Sequence, residues 1–210
     1  MEEVKDLSHL KLDENKDYFF GIRHAQRDEA KRPETPDIPI TDFGIDQAKA
    51  AGKVVNELLQ RSKVAQVTLI VSPFLRTMQT AYYIAQECGF TEMKIDLNFV
   101  ESLYGTSFDH NPLDELNSKR MTTKEFQDKF FEQPIDIISP SDEDWKEAYT
   151  LFPEEIGEDF HRHSKGFESV MSRHPCEDKT GSNIVILVGH GSMVKSLTDY
   201  FEKSDKIVDY

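Results

Sequence analysis

Short apolar runs punctuate the chain and alternate with stretches whose apolar positions recur at helical spacing. Tyr18-Phe19-Phe20-Gly21-Ile22, Val67-Thr68-Leu69-Ile70-Val71 and Ile184-Val185-Ile186-Leu187-Val188 are continuous blocks. Such blocks read as strands buried on both faces. Lys94 to Val100 alternates and reads as a further strand. Thr41 suits the cap of a helix beginning at Asp42, along which Ile45, Ala48, Val55, Leu58 and Leu59 fall near one face. Ser72-Pro73 stops one strand and opens a helix to about Cys88, where Gly89 can take a left-handed turn. A long helix is expected from Pro153 to about Arg173, and a short one from Ser192. This alternation predicts an α/β fold: a three-layer α/β/α sandwich with a mostly parallel central sheet.

Residues 1–16 are polar and acidic and read as an N-terminal tail or a loosely docked segment, leaving one domain over residues 17–210. Residues 27–40 suit an ordered loop. The stretch 103–150 is acidic, irregular and rich in Asn, Ser and Pro, with one helix expected near Thr123–Phe131. It reads as an insertion, or lid, over the strand ends. The chain shows no internal repeat.

Charge narrows the function. Acidic residues outnumber basic ones 39 to 25, for a formal net charge of −14. That surface argues against nucleic acid and anionic membranes as partners. An anionic substrate would need positive charge gathered locally. The start of the chain lacks the pattern of a signal peptide, and no apolar run is long enough to span a bilayer. A cytoplasmic location is expected, with Cys88 and Cys176 as free thiols.

Two strands end alike: one runs into Arg23-His24, the other into Gly189-His190-Gly191. Ligands of α/β sheets bind outside the carboxyl ends of the strands. A third strand leads into a helix whose first turns carry Arg76, where the helix N-terminus already favours anions. Guanidinium forks match phosphate oxygens in pairs, and neutral imidazole is a competent nucleophile. Glu101 follows the alternating segment and is placed to protonate a leaving oxygen. His161 and His163 lie two apart on one expected helix and face different sides. His110 is a candidate to line a pocket. No metal site and no cofactor are expected.

At these residues the chain resembles the histidine phosphatase superfamily, also called the phosphoglycerate mutase-like family. The family's Arg-His-Gly triplet reads Arg23-His24-Ala25, with alanine in place of glycine. Its helix-entry stretch reads Ile40-Thr41-Asp42-Phe43-Gly44-Ile45-Asp46-Gln47-Ala48. Its Ser-Pro-x-x-Arg-x-x-Gln-Thr-Ala stretch is matched in full by residues 72–81, and its late Gly-His-Gly is Gly189-His190-Gly191. Arg27 and Asp37-Ile38-Pro39-Ile40-Thr41 most resemble the branch of suppressor of T-cell receptor signalling phosphatases and ecdysteroid phosphate phosphatases.

The resemblance implies a metal-independent phosphomonoesterase acting through a phosphohistidine. His24 would be the nucleophile and Glu101 the proton donor. Arg23, Arg27, Arg76, His190 and Gly191 would bind the phosphate. The substrate would be a small phosphorylated metabolite or a phosphotyrosine protein, and a homodimer is left open. Two alternatives use the same fold: a catalytically silent scaffold, and a phosphoglycerate-type mutase. The mutase would want accessory basic residues that the 103–150 stretch does not display. Ile207-Val208 is read as the remnant of a terminal strand.

Overall fold

The computed structural model describes residues 12–14, 16–31, 34–118, 124, 127–128, 133–173 and 181–203. Strands β1 (Asp17–Arg23), β2 (Val64–Val71), β3 (Glu92–Ile95), β4 (Asp136–Ile138) and β5 (Ser182–Gly189) form one sheet in the order β1-β5-β2-β3-β4. Every pairing among them is parallel. Parallel neighbours need crossover connections. Helices α1 (Asp42–Arg61), α2 (Leu75–Cys88), α3 (Pro112–Ser118), α4 (Asp142–Tyr149) and α5 (Glu158–Arg173) lie between the strands, and α6 (Gly191–Lys203) follows the last.

β5 explains the longest apolar run. It lies between β1 and β2, and all its residues are buried. Ile184, Ile186 and Val188 pack with Leu58, Met78, Tyr82 and Ile84 of α1 and α2. Val185 and Leu187 point to the opposite face and meet Phe167, Val170, Met193 and Leu197 of α5 and α6. Alternate side chains of one strand thus feed two helical layers, which makes the sandwich.

The expectations for the start of α1 and the end of α2 match the structure, whereas α2 begins at Leu75 with Phe74 as its N-cap, so Pro73 precedes the helix rather than opening it. The Thr41 side chain accepts from the Gly44 amide, and Gly89 adopts φ 71° at the end of α2. Two other element boundaries need correction. The strand expected over Lys94–Val100 is Glu92–Ile95, because the Asp96 carboxylate accepts from the Asn98 amide and caps a 3-10 turn. The alternation there reflects a loop that buries Leu97, Phe99 and Val100. The helix expected from Pro153 begins at Glu158, with Gly157 at φ 95° ahead of it.

The 103–150 stretch is more regular than its composition suggested. β4 pairs with β3, and Leu113, Trp145 and Ala148 of α3 and α4 join Phe74, Leu97, Val100 and Leu103 in a third apolar cluster. The described residues of the 1–16 segment are docked on the domain. Leu12 is buried in the main core, and the Ser182 hydroxyl donates to the Asp13 carbonyl at 2.9 Å. The helix near 123–131 falls largely outside the described residues. Cys176 and Ile207-Val208 fall outside them altogether. No helix of the described residues is long and apolar enough to cross a membrane.

Gly44 is where α1 meets the loop after β1. A Cβ there would stand 2.4 Å from the Gln26 carbonyl oxygen. Alanine normally gains about 1 kcal/mol over glycine inside a helix. At Gly44 the sign reverses: Gly44→Ala is expected to lower stability by about 1–3 kcal/mol through overpacking against backbone. Urea unfolding of the variant checks this.

Candidate active site

The carboxyl ends of β1, β5 and β2 deliver the site. Arg23 pairs with Gly189 in the ladder, and the His24 amide continues it by donating to the Gly189 carbonyl at 2.8 Å. The Ser72 amide donates to the Val188 carbonyl at 3.1 Å. His24 and His190 therefore leave adjacent strands at the same level. Their ring centroids lie 5.6 Å apart with planes inclined at 64°.

Arg76 lies beside them. It is only 2% exposed, with its Cζ 4.3 Å from the centroid of the Phe74 ring. The same ring meets His190 edge-on at 5.1 Å. Arg76 Nη1 donates to the Pro36 carbonyl at 3.4 Å, while buried Nε finds no acceptor among the described residues. Arginine stays protonated in proteins, so a permanent charge sits here under-satisfied. Glu101 supplies the nearest negative charge. Its Oε2 lies 3.4 Å from Arg76 Nη2 and 3.2 Å from His190 Nδ1, and its Oε1 accepts from the Ser192 hydroxyl at 3.2 Å. A carboxylate thus occupies the position between Arg76 and His190.

A hydrogen bond fixes the tautomer of His24. His24 Nδ1 lies 2.8 Å from the Ala25 carbonyl, which can only accept, so Nδ1 carries the proton and Nε2 keeps the lone pair. His190 Nδ1 lies between two groups of opposite demand, the Glu101 carboxylate at 3.2 Å, which accepts, and Arg76 Nη2 at 3.3 Å, which donates, while its Nε2 meets the Ser72 hydroxyl at 2.8 Å, which can do either. Burial chiefly lowers His24 from 6.5 to about 3, with the Arg76 and His190 charges adding to it. Burial likewise brings His190 to about 4, with Arg76 adding and Glu101 opposing. Burial alone would raise Glu101, but His190, Arg76 and the Ser102 amide outweigh it. They hold the carboxyl well below its usual range. The resting site holds two neutral imidazoles, one carboxylate and one guanidinium.

The remaining predicted residues take different places. Arg23 is exposed, with its guanidinium over Gly191, where a Cβ would lie 3.7 Å from Nε. Arg27 lines the adjoining pocket but is ion-paired to Glu29. That pocket, about 510 Å³, runs from Arg76 and Glu101 past Tyr104 and Phe108 to His110. His163 is buried, with Nδ1 2.9 Å from the Ser196 hydroxyl and Nε2 3.4 Å from the Val100 carbonyl, and His161 is exposed.

Several supports carried no role in the sequence reading, although most sit inside its motifs. The Thr80 hydroxyl accepts from the Ala25 amide at 3.0 Å, Gln79 from the Ile40 amide at 2.9 Å, and Gln47 from the Gln26 amide at 2.9 Å. Asp37 accepts from the Leu75 amide at 2.6 Å. The alanine at position 25 uses only its backbone for these contacts.

His24, Glu101 and His190 also bring three potential metal donors within 4.8 Å of one another. This differs from the expectation of no metal site. Arg76 lies within 3.4 Å of two of those residues, and its charge opposes a cation there. The electrostatics favour an anion.

A parallel sheet with an arginine-histidine anion site at its carboxyl edge defines a class of phosphate-handling α/β proteins. The profile of the histidine phosphatase superfamily (branch 1) matches residues 19–206, and the chain belongs to that family. It is similar in structure to the ecdysone phosphate phosphatase from Bombix mori in complex with tungstate. That match has a TM-score of 0.56 and 16% identity, covering 91% of this chain and 80% of the other. A phosphoserine phosphatase variant from Entamoeba histolytica, in complex with phosphoserine, gives a TM-score of 0.51 and 16% identity, covering 89% and 80%. A search of curated proteins finds no match.

Because His24 and His190 titrate near 3 and 4 when folded, both stay neutral as an exposed histidine acquires charge. The depressed values make their contribution to stability present above about 6.5 and lost as pH falls toward the folded values. Ring-proton NMR shifts of both residues are expected to stay flat from about pH 8 to about pH 5. Titration of either ring within that range would contradict the geometry.

Proposed function

We propose that the protein is a phosphomonoesterase that works through a phosphohistidine on His24 and needs no metal. One observation carries this reading. A buried guanidinium with an unpaired Nε–H adjoins two neutral imidazoles, one of which presents a bare Nε2.

Arg76 and His190 would take phosphate oxygens in the position the Glu101 carboxylate occupies in the resting site. Arg23, over the first turn of α6, would take another. Arg27 would join once released from Glu29. Each charged hydrogen bond of this kind is worth roughly 1.5–3 kcal/mol. His24 Nε2 then attacks phosphorus as the bond to the leaving oxygen breaks, and Glu101 gives that oxygen its proton. In the second half, Glu101 takes a proton from water. The resulting hydroxide displaces His24, and inorganic phosphate leaves.

Glu101 is ionised in the resting site, so this role needs its affinity for a proton to rise on binding. A phosphate dianion displaces the carboxylate from Arg76 and His190 and adds a like charge beside it. Both effects raise its pKa. The substrate is a phosphomonoester whose leaving group enters the 510 Å³ pocket beside Tyr104 and Phe108. A small phosphorylated molecule and a phosphotyrosine side chain both suit those dimensions. The ecdysone phosphate and phosphoserine named for the similar proteins belong to this class.

Wild-type protein is expected to hydrolyse an aryl phosphate with EDTA present, and His24→Ala to fall to background. An acid-labile phosphoryl adduct should map to the peptide holding His24. No turnover by wild type at any pH tried would instead favour a silent scaffold. Glu101→Gln is expected to cost about 10²–10⁴ in rate on an alkyl phosphate. The loss should be much smaller when the leaving group is already a weak base. Wild-type kcat should fall as pH rises through the bound-state pKa of Glu101, and Glu101→Gln should flatten that alkaline limb.

A further inference from the structure

The turn that carries Glu101 is held from behind by a buried ion pair. Arg162, on α5, meets Glu154 in a two-pronged contact, Nε to Oε1 at 2.7 Å and Nη2 to Oε2 at 3.0 Å. The rest of the fork is spent on the backbone of one short segment. Nη1 donates to the Asn98 carbonyl at 2.6 Å and to the Val100 carbonyl at 3.1 Å, and Nη2 to the Glu101 carbonyl at 3.3 Å. Glu154 completes the frame by accepting from the Leu103 amide at 2.7 Å. Both side chains are 5% exposed or less. Two neighbours on α5 reinforce it. Asp159 accepts from the Ser102 hydroxyl at 2.6 Å, and His163 Nε2 faces the Val100 carbonyl at 3.4 Å.

A buried ion pair is a poor way to gain stability, since apolar residues of similar volume often do as well. This pair has a more specific effect. It fixes the carbonyls before and at Glu101 and the amide two residues after it. Glu101 is anchored at its backbone while its carboxyl end stays free to exchange Arg76 for a leaving oxygen. We infer that Arg162 and Glu154 are positioning residues for the proton donor: they set where the Glu101 carboxyl stands relative to His24. The inference rests on the phosphatase reading above, and it adds residues to which that reading gives no part.

Leaving-group dependence tests it, because only the proton-donating step should suffer. Arg162→Lys keeps the charge but cannot serve the carboxylate and three carbonyls together. The rate on an alkyl phosphate is expected to fall about 10–100-fold, as for misplacement of a reacting group by about 1 Å. The rate on 2,4-dinitrophenyl phosphate, which needs no proton, should change less than about threefold. In a Glu101→Gln background, Arg162→Lys should cost almost nothing more on the alkyl ester. Equal losses on both substrates, or losses that multiply with Glu101→Gln, would overturn the inference. Should Arg162→Lys not fold, Ser102→Ala removes the bond to Asp159 and is read the same way, with the same two outcomes. Absence of dinitrophenyl phosphate turnover by wild type would defeat the phosphatase reading itself, a result distinct from either.

Discussion

A permanently charged guanidinium, almost fully enclosed, is the constraint around which this molecule is organised. Burying Arg76 without an anion would cost several kcal/mol. The fold answers by keeping a negative group within reach. In the resting protein that group is Glu101, which reaches Arg76 and His190 at once. The same arrangement depresses the basicity of both histidines and holds Glu101 ionised. A phosphate would inherit these contacts, and the displaced carboxylate would become the group able to hold a proton. On the proposed reading, binding and acid function would be coupled through one shared position.

The family motifs acquire a physical meaning in this setting. Thr41, Gly44 and Gln47 bind the loop after β1: Thr41 caps α1 and takes up the Gln26 carbonyl, Gly44 allows close approach, and Gln47 accepts the Gln26 amide. Just after β2, Ser72 meets His190, and along α2 Arg76 supplies the charge, Gln79 holds Ile40 and Thr80 holds Ala25. Gln79, Thr80 and Ser72 pair with backbone or imidazole groups withdrawn at least partly from water, where an unmade hydrogen bond is costly. These contacts bring the loops after β1 and β2 to a common point with little dependence on the side chain at position 25.

The segment after β3 shows the limits of pattern reading. Alternating apolar residues there suggested a strand through Val100, yet Asp96 ends the strand by capping a 3-10 turn. The apolar positions face three different clusters rather than one sheet face. Glu101 was nonetheless legible as a candidate, because motif order placed it near the strand ends. Arg162 and Glu154 were not. Nothing local distinguishes a buried arginine on an amphipathic helix from a solvated one, and their partners lie about sixty residues away on one side and eight on the other.

By itself the sequence determined what repeats locally: buried strands from continuous apolar runs, helix starts and stops from caps and glycine, and the set of histidines and arginines at strand ends. Those features arise from interactions between residues close in the chain. Tertiary structure alone decided which anion faces Arg76, which nitrogen of His24 carries the proton, that Arg27 rests on Glu29, and that β4 extends the sheet. Each of these depends on competition between groups distant in sequence, settled only when packing fixes their distances and removes water from between them.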